Sequence, residues 1–171
     1  MPGRTRPIPK IAVLIALPLL VAGIVFAVKV GISNLAYFQA TKLAAGWGGK
    51  QGNPSPRTLD AAERAINTAL HLWYNNPDYL DLAAQIEGWK GYMAAMDEGE
   101  GAIARPHYQN SVAFLRRSLE LRPAHAETWA LLAEYKTRLN ERDREWFVAK
   151  EKALELGGVK IEIVERMMRL D

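Results

Sequence analysis

Three short phrases recur along this chain: Ala69-Leu70-His71-Leu72, Ser118-Leu119-Glu120-Leu121 and Ala153-Leu154-Glu155-Leu156. Each reads small, Leu, any, Leu, and each is followed within a few residues by Pro or Gly-Gly. Two further phrases come after the first two breaks: Tyr79-x-x-Leu82-Ala83 and Trp129-x-x-Leu132-Ala133. On a helix, an aromatic three residues before Leu and four before a small residue shares a face with both. The small residue then lets a partner helix come close. Apolar positions recur at three and four beyond Arg57, and no alternating strand pattern of useful length interrupts them. The expected fold is all-α, a stack of helices that each bury one face against the next.

The spacing predicts helices over Arg57–Tyr74, Asp78–Met96, His107–Leu121, Ala126–Leu139, Asp143–Leu156 and Lys160–Leu170. Asn76-Pro77, "DEGEGAIARP", Arg122-Pro123 and Gly157-Gly158 punctuate them. The pattern resembles the tetratricopeptide repeat, a helix–turn–helix unit of about 34 residues. Ser118 to Ala153 is a step of 35 residues. Ser111, Leu115, Ser118 and Pro123 fall where that family has small, bulky, small and Pro, and Ala62, Ile66 and Ala69 match the first three. The array is degenerate. Ala69 to Ser118 is a step of 49, with the surplus between Trp89 and Pro106. Trp146 and Lys150 stand where a small and a bulky apolar residue are expected. This implies one good unit, a half-unit before it and a half-unit after it.

Upstream lies "IAVLIALPLLVAGIVFAV", Ile11 to Val28, an uncharged run preceded by Arg4, Arg6 and Lys10. As a helix its 18 residues span about 27 Å, close to a bilayer core of about 30 Å. Twelve of them are Leu, Ile, Val or Phe, which favours insertion by about 4–7 kcal/mol. The rival is a cleaved signal peptide, but its best cleavage site, Val25-Phe26-Ala27, is poor. An uncleaved anchor is therefore expected, with the preceding positive charge holding the N-terminus in the cytoplasm and the rest in the periplasm. The layout expected is a basic tail over 1–10, a membrane helix and its extension over 11–45, a linker over 46–56, the repeat domain over 57–158 and a capping helix over 159–171.

Charge and composition exclude several functions. Residues 1–45 hold five basic residues and no acid, which leaves the remainder at −2 of the +3 total. The basic balance belongs to the N-terminus, and no nucleic acid is expected as a partner. The chain has no cysteine, so thiolate metal sites and thiol nucleophiles are absent. His71, His107 and His125 have no second ligand at metal-binding spacing. Asp97, Glu98 and Glu100 form an acidic cluster without the length of a calcium loop. No phosphate loop or nucleophile elbow occurs, and "GWGGKQGN" reads as linker. No enzyme, cofactor or metal is expected, and the remaining enzymatic reading, a hydrolase using Glu98 or Glu100, lacks a shaped cleft.

Most of the aromatic residues sit on apolar faces and are expected in the core, Trp129 as a repeat position between adjacent units, while those near the inserted hairpin are candidates for an exposed binding patch. The concave face of such an array comes from the first helix of each unit, around Asp78–Trp89 and Ala126–Tyr135. Tyr79, Trp89, Tyr92, Trp129 and Tyr135 are the candidate groove residues, Trp89 and Tyr92 foremost.

The order "NLAYFQATKLAAGW", "AERAINTALHL", "NPDYLDLAAQIEGWKGY", "SVAFLRRSLELRPAHAETWALLAEYKTRLNE" and "EKALELGG" resembles the VpsP family of polysaccharide biosynthesis proteins, from Ile11 to Gly158. The final "GGVKIEIVERMM" departs from that family's continuation. The resemblance implies a scaffold for exopolysaccharide synthesis or export whose partners are membrane-embedded or periplasmic proteins of that complex. Assembly of a secretion system, pilus or cytochrome-maturation complex is the alternative. No catalytic residue is carried over.

Overall fold

The structure, a computed structural model, describes residues 10–48, 52–98, 101–158 and 160–170. Seven α-helices and no strand occur among them. They are α1 Lys10–Ala44, α2 Pro56–Leu72, α3 Pro77–Glu98, α4 Ala104–Leu121, α5 Ala126–Arg138, α6 Arg144–Gly157 and α7 Ile161–Met168. The expected helices are present, with ends that differ by up to three residues. The basic tail expected upstream of Lys10 lies outside the described residues, as do Glu100 and the side chain of Glu98.

Local chemistry sets these ends. Ser55 caps α2 by accepting from the Thr58 amide at 3.2 Å, and Pro56 fills the first helical position, where no amide is needed. Asn76 Oδ1 accepts from the Asp78 amide at 3.0 Å before α3. Asp143 caps α6, accepting from the Trp146 amide at 3.0 Å. After α5, Asn140 takes the left-handed conformation at φ 58°. Glu141 N then donates to Lys136 O, and Asn140 N to Thr137 O, both at 2.9 Å, closing a Schellman motif.

The helices pair as α1–α2, α3–α4 and α5–α6, with α7 closing against α5 and α6. Two cores result. One lies among α1, α2 and α3 and includes Ala40, Ala62, Ile66 and Leu80. The other runs from α3 to α7 and includes Leu115, Leu132, Ala149 and Ile163.

Small residues allow the close contacts. Ser33, Ala40, Ala62, Ala69, Ser111 and Ser118 are fully buried. The serines also bind across the gap: Ser33 Oγ donates to Ala69 O at 3.1 Å, Ser111 Oγ to Ala84 O at 2.9 Å and Ser118 Oγ to Pro77 O at 3.3 Å. A hydroxyl that reaches a neighbouring backbone carbonyl requires the two helices to touch.

Three features differ from the sequence reading. First, the half-unit before the good one is complete, because the last third of α1 packs along α2 through Ser33, Ala36 and Ala40. α1, ending at Ala44, and α2, starting at Pro56, thus form a hairpin, and the array begins inside 11–45. Second, the surplus near "DEGEG" lengthens the helices: α3 runs on to Glu98 and takes in Asp97. Third, Trp146 is buried at the place expected for a small residue, and close contact falls on Ala149 and Ala153. The Trp146 indole N–H donates to Thr137 Oγ1 at 2.8 Å, so burial leaves it satisfied.

Candidate partner-binding groove

The groove begins with two glycines in the middle of α3. A Cβ on Gly88 would sit 2.2 Å from the Tyr135 hydroxyl oxygen, and one on Gly91 would sit 2.7 Å from the Tyr108 ring. Each glycine thus makes a seat for a tyrosine from a neighbouring helix. Glycine inside a helix costs about 1 kcal/mol against alanine, which the seated ring must offset. The two tyrosine rings stack with centroids 6.1 Å apart. Tyr135 is buried, and that burial pushes its hydroxyl far above the ordinary tyrosine range, so it stays neutral.

Around this seat lies a groove of about 280 Å³, lined by Gln85, Gly88, Trp89, Tyr92, Tyr108, Leu131, Glu134, Tyr135, Arg138 and Arg166. Leu131, Glu134, Tyr135 and Arg138 follow at helical spacing and so share one face of α5. Arg166 arrives from α7 with its Nε 3.7 Å from Glu134. Trp89 meets Tyr92 edge to face at 5.3 Å. Trp47 stands edge-on to Trp89 at 6.1 Å, and Gly48, at φ +72°, leaves room for the Trp89 ring. The segment read as linker therefore backs the groove's aromatic wall.

The five aromatics singled out from sequence separate. Trp89, Tyr92 and Tyr135 line the groove together. Tyr79 does not: its hydroxyl donates to Asn34 Oδ1 at 2.7 Å, its ring stacks on Tyr37 at 4.9 Å, and it seats α3 on α1. Trp129 does not line it either. Its indole N–H donates to Pro123 O at 2.7 Å and braces the α4–α5 turn. Sequence reasoning missed Gln85, Gly88, Glu134, Arg138 and Arg166. The face shared by residues 131, 134, 135 and 138 was a usable signal. Arg166 was not findable, since it reaches the groove only through the packing of α7.

The polar clusters elsewhere are braces. Glu87 Oε1 accepts from Lys90 at 2.9 Å, and its Oε2 lies 2.8 Å from His107 Nδ1 and 3.3 Å from Asn110. Lys90 also donates to Glu63 at 2.7 Å, which ties α2 to α3. Burial pushes the Glu87 carboxyl up, but the hydrogen bonds from His107 and Lys90 outweigh it and hold it below the usual range. Asp81 accepts from Arg122 at 2.9 Å and from Thr128 at 2.8 Å, joining α3 to the α4–α5 turn.

Among the described residues no group of three or more His, Cys, Asp or Glu side chains is placed to hold a metal ion. The groove lining holds one carboxylate and no His, Cys, Ser or Lys. The lining presents aromatic faces from Trp89, Tyr92, Tyr108 and Tyr135 beside the guanidinium groups of Arg138 and Arg166 and the Glu134 carboxylate. No protein-family model matches the chain, and no curated protein matches it.

Proposed function

We propose that this protein is a membrane-anchored scaffold that holds a partner protein in the groove between α3 and α5. The observation that carries this reading is the seat of Tyr135 on Gly88, which opens an aromatic-walled groove on an array with its own anchor. α1 contains an apolar helix, Leu14–Ala44, long and apolar enough to cross a membrane, and the side chains from Leu14 to Lys29 are exposed. Such a surface is stable in lipid and costly in water. The positive residues before it favour an N-terminus in the cytoplasm and an array in the periplasm of a bacterial inner membrane.

The resemblance to the VpsP family supplies the partner class: a membrane-embedded or periplasmic protein of a polysaccharide synthesis or export complex. Deleting the gene should abolish or shorten the polymer. The native chain should restore it, and a chain carrying both Trp89→Ala and Tyr92→Ala should not. Normal polymer in the deletion strain would remove the polysaccharide assignment. Copurification with pilus or secretin subunits would move the scaffold to a secretion or pilus assembly.

A further inference from the structure

We infer that the α2–α3 turn is a membrane-contact edge, with Trp73 and Tyr74 seated at the lipid headgroup level beside the anchor. This rests on the anchor reading above and adds the height and orientation of the array on the bilayer.

The anchor touches the array through a pair of aromatic rings. The rings of Phe26 and Trp73 lie 5.5 Å apart. Phe26 belongs to the uncharged run that ends at Val28, before Lys29. At a rise of about 1.5 Å per residue, Phe26 sits about 4–5 Å on the membrane side of Lys29. Trp73 is therefore level with the last turn of the span.

The length of the run fixes that depth. Ile11 to Val28 covers about 27 Å, already slightly short of a bilayer core of about 30 Å. Lifting Trp73 a further 10 Å into water would withdraw about seven residues. The lipid would then hold about 16 Å of apolar helix, roughly half of what spanning needs. Lys10 blocks a compensating slide from the other end. Ile32 and Leu35, exposed beyond Lys29, favour a deeper seat over a shallower one.

The connection is also stiff. α1 is continuous from Lys10 to Ala44, and Ser33 Oγ holds the Ala69 carbonyl. Phe26, Val30, Ser33, Tyr37 and Ala40 follow at helical spacing along the face toward α2. There is no hinge between span and array at which the turn swings clear. Tryptophan and tyrosine are the residues enriched at the membrane–water interface, with an apolar ring and a polar tip. Trp73 is half-buried, and Tyr74 is 53% exposed. The α4–α5 side lies at the same end, since Arg117 Nη2 donates to Asn75 Oδ1 at 2.8 Å.

The absence of cysteine in the chain makes the test direct. Three single-cysteine full-length chains, Val21→Cys, Tyr74→Cys and Asn140→Cys, are labelled with one fluorophore and reconstituted in phosphatidylethanolamine–phosphatidylglycerol vesicles. Quenching by lipids brominated near the headgroup is then compared at 74 and 140, and quenching by lipids brominated near the end of the acyl chain is measured at 21, about 10 Å inside the end of the span. The label at position 74 should be quenched several-fold more than that at 140, which lies in a turn at the opposite end of the array. Quenching at 74 no greater than at 140, with the label at 21 lipid-quenched, would overturn the membrane-contact edge and leave the anchor standing. No lipid quenching at 21 would overturn the anchor itself, and the edge with it. Circular dichroism of each labelled chain confirms the helical fold before the comparison.

Discussion

In the α1–α2 hairpin the contact residues are Ser33, Ala36, Ala40, Ala62 and Ala69, and among the described residues no ion pair joins the two helices. In the α5–α6 hairpin the turn holds Trp146 and a fully buried lysine, Lys136. Its ammonium lies 2.8 Å from Glu145, 2.9 Å from Asp143 and 3.5 Å from Glu141. Glu145 also accepts two bonds from Arg116 of α4, at 2.8 and 2.6 Å. One hairpin is fastened by close approach of backbones, the other by charge. The difference follows position in the chain. α1 continues an apolar rod, where small side chains and backbone contact serve without charged groups. The α5–α6 turn lies far from the anchor, where water stabilises carboxylates that are half exposed.

The contrast yields opposite sensitivities to size and to salt. Ala69 is fully buried, so Ala69→Leu should force α1 from α2 and destabilise the fold by about 3 kcal/mol. Denaturant titration would show this with little dependence on ionic strength. Lys136→Met should cost about 2 kcal/mol, less than removal of a partner from a fully buried ion pair, because its carboxylates keep access to water. Here the native chain should lose stability from low to high salt, and the variant should lose less. Equal salt dependence in both would contradict a charge-fastened turn.

The smallest expected effect is on pH dependence. The hydrogen bonds from Arg116, and then those from Lys136, outweigh burial and hold the Glu145 carboxyl down to about 2, against an ordinary 4.5. A depressed carboxylate adds stability above its unfolded pKa and loses it as pH falls through the folded one. That contribution should be whole above about pH 5 and fade between about pH 4.5 and 2. Glu145→Gln should flatten the native profile in that window. A parallel profile would place the acid sensitivity elsewhere.

The sequence was most legible where the cause was local. Helical period, Pro77 and Pro123, and the small residues at 62, 69, 111 and 118 were enough to read paired helices. The role of α1 in the array was hidden, because Ser33, Ala36 and Ala40 lie in a helix too apolar overall to show one packing face. Tyr79 and Tyr135 are alike in type and unlike in role. Which of them reaches the groove depends on what stands opposite, Asn34 and Tyr37 in one case and Gly88 in the other. Such pairings join residues about 45 positions apart in the chain, and no local pattern announces them.

The α3–α5 groove as the gripping surface is tested most directly by site-specific photo-crosslinking in living cells. A benzoylphenylalanine would replace Tyr92 on the groove wall in one strain. In another it would replace Ala113, which lines the separate recess between α2 and α4. A discrete adduct should form from position 92, not from 113, and should vanish when Arg166→Glu is added. An adduct from 113 alone, or one from 92 that is indifferent to Arg166, would contradict it.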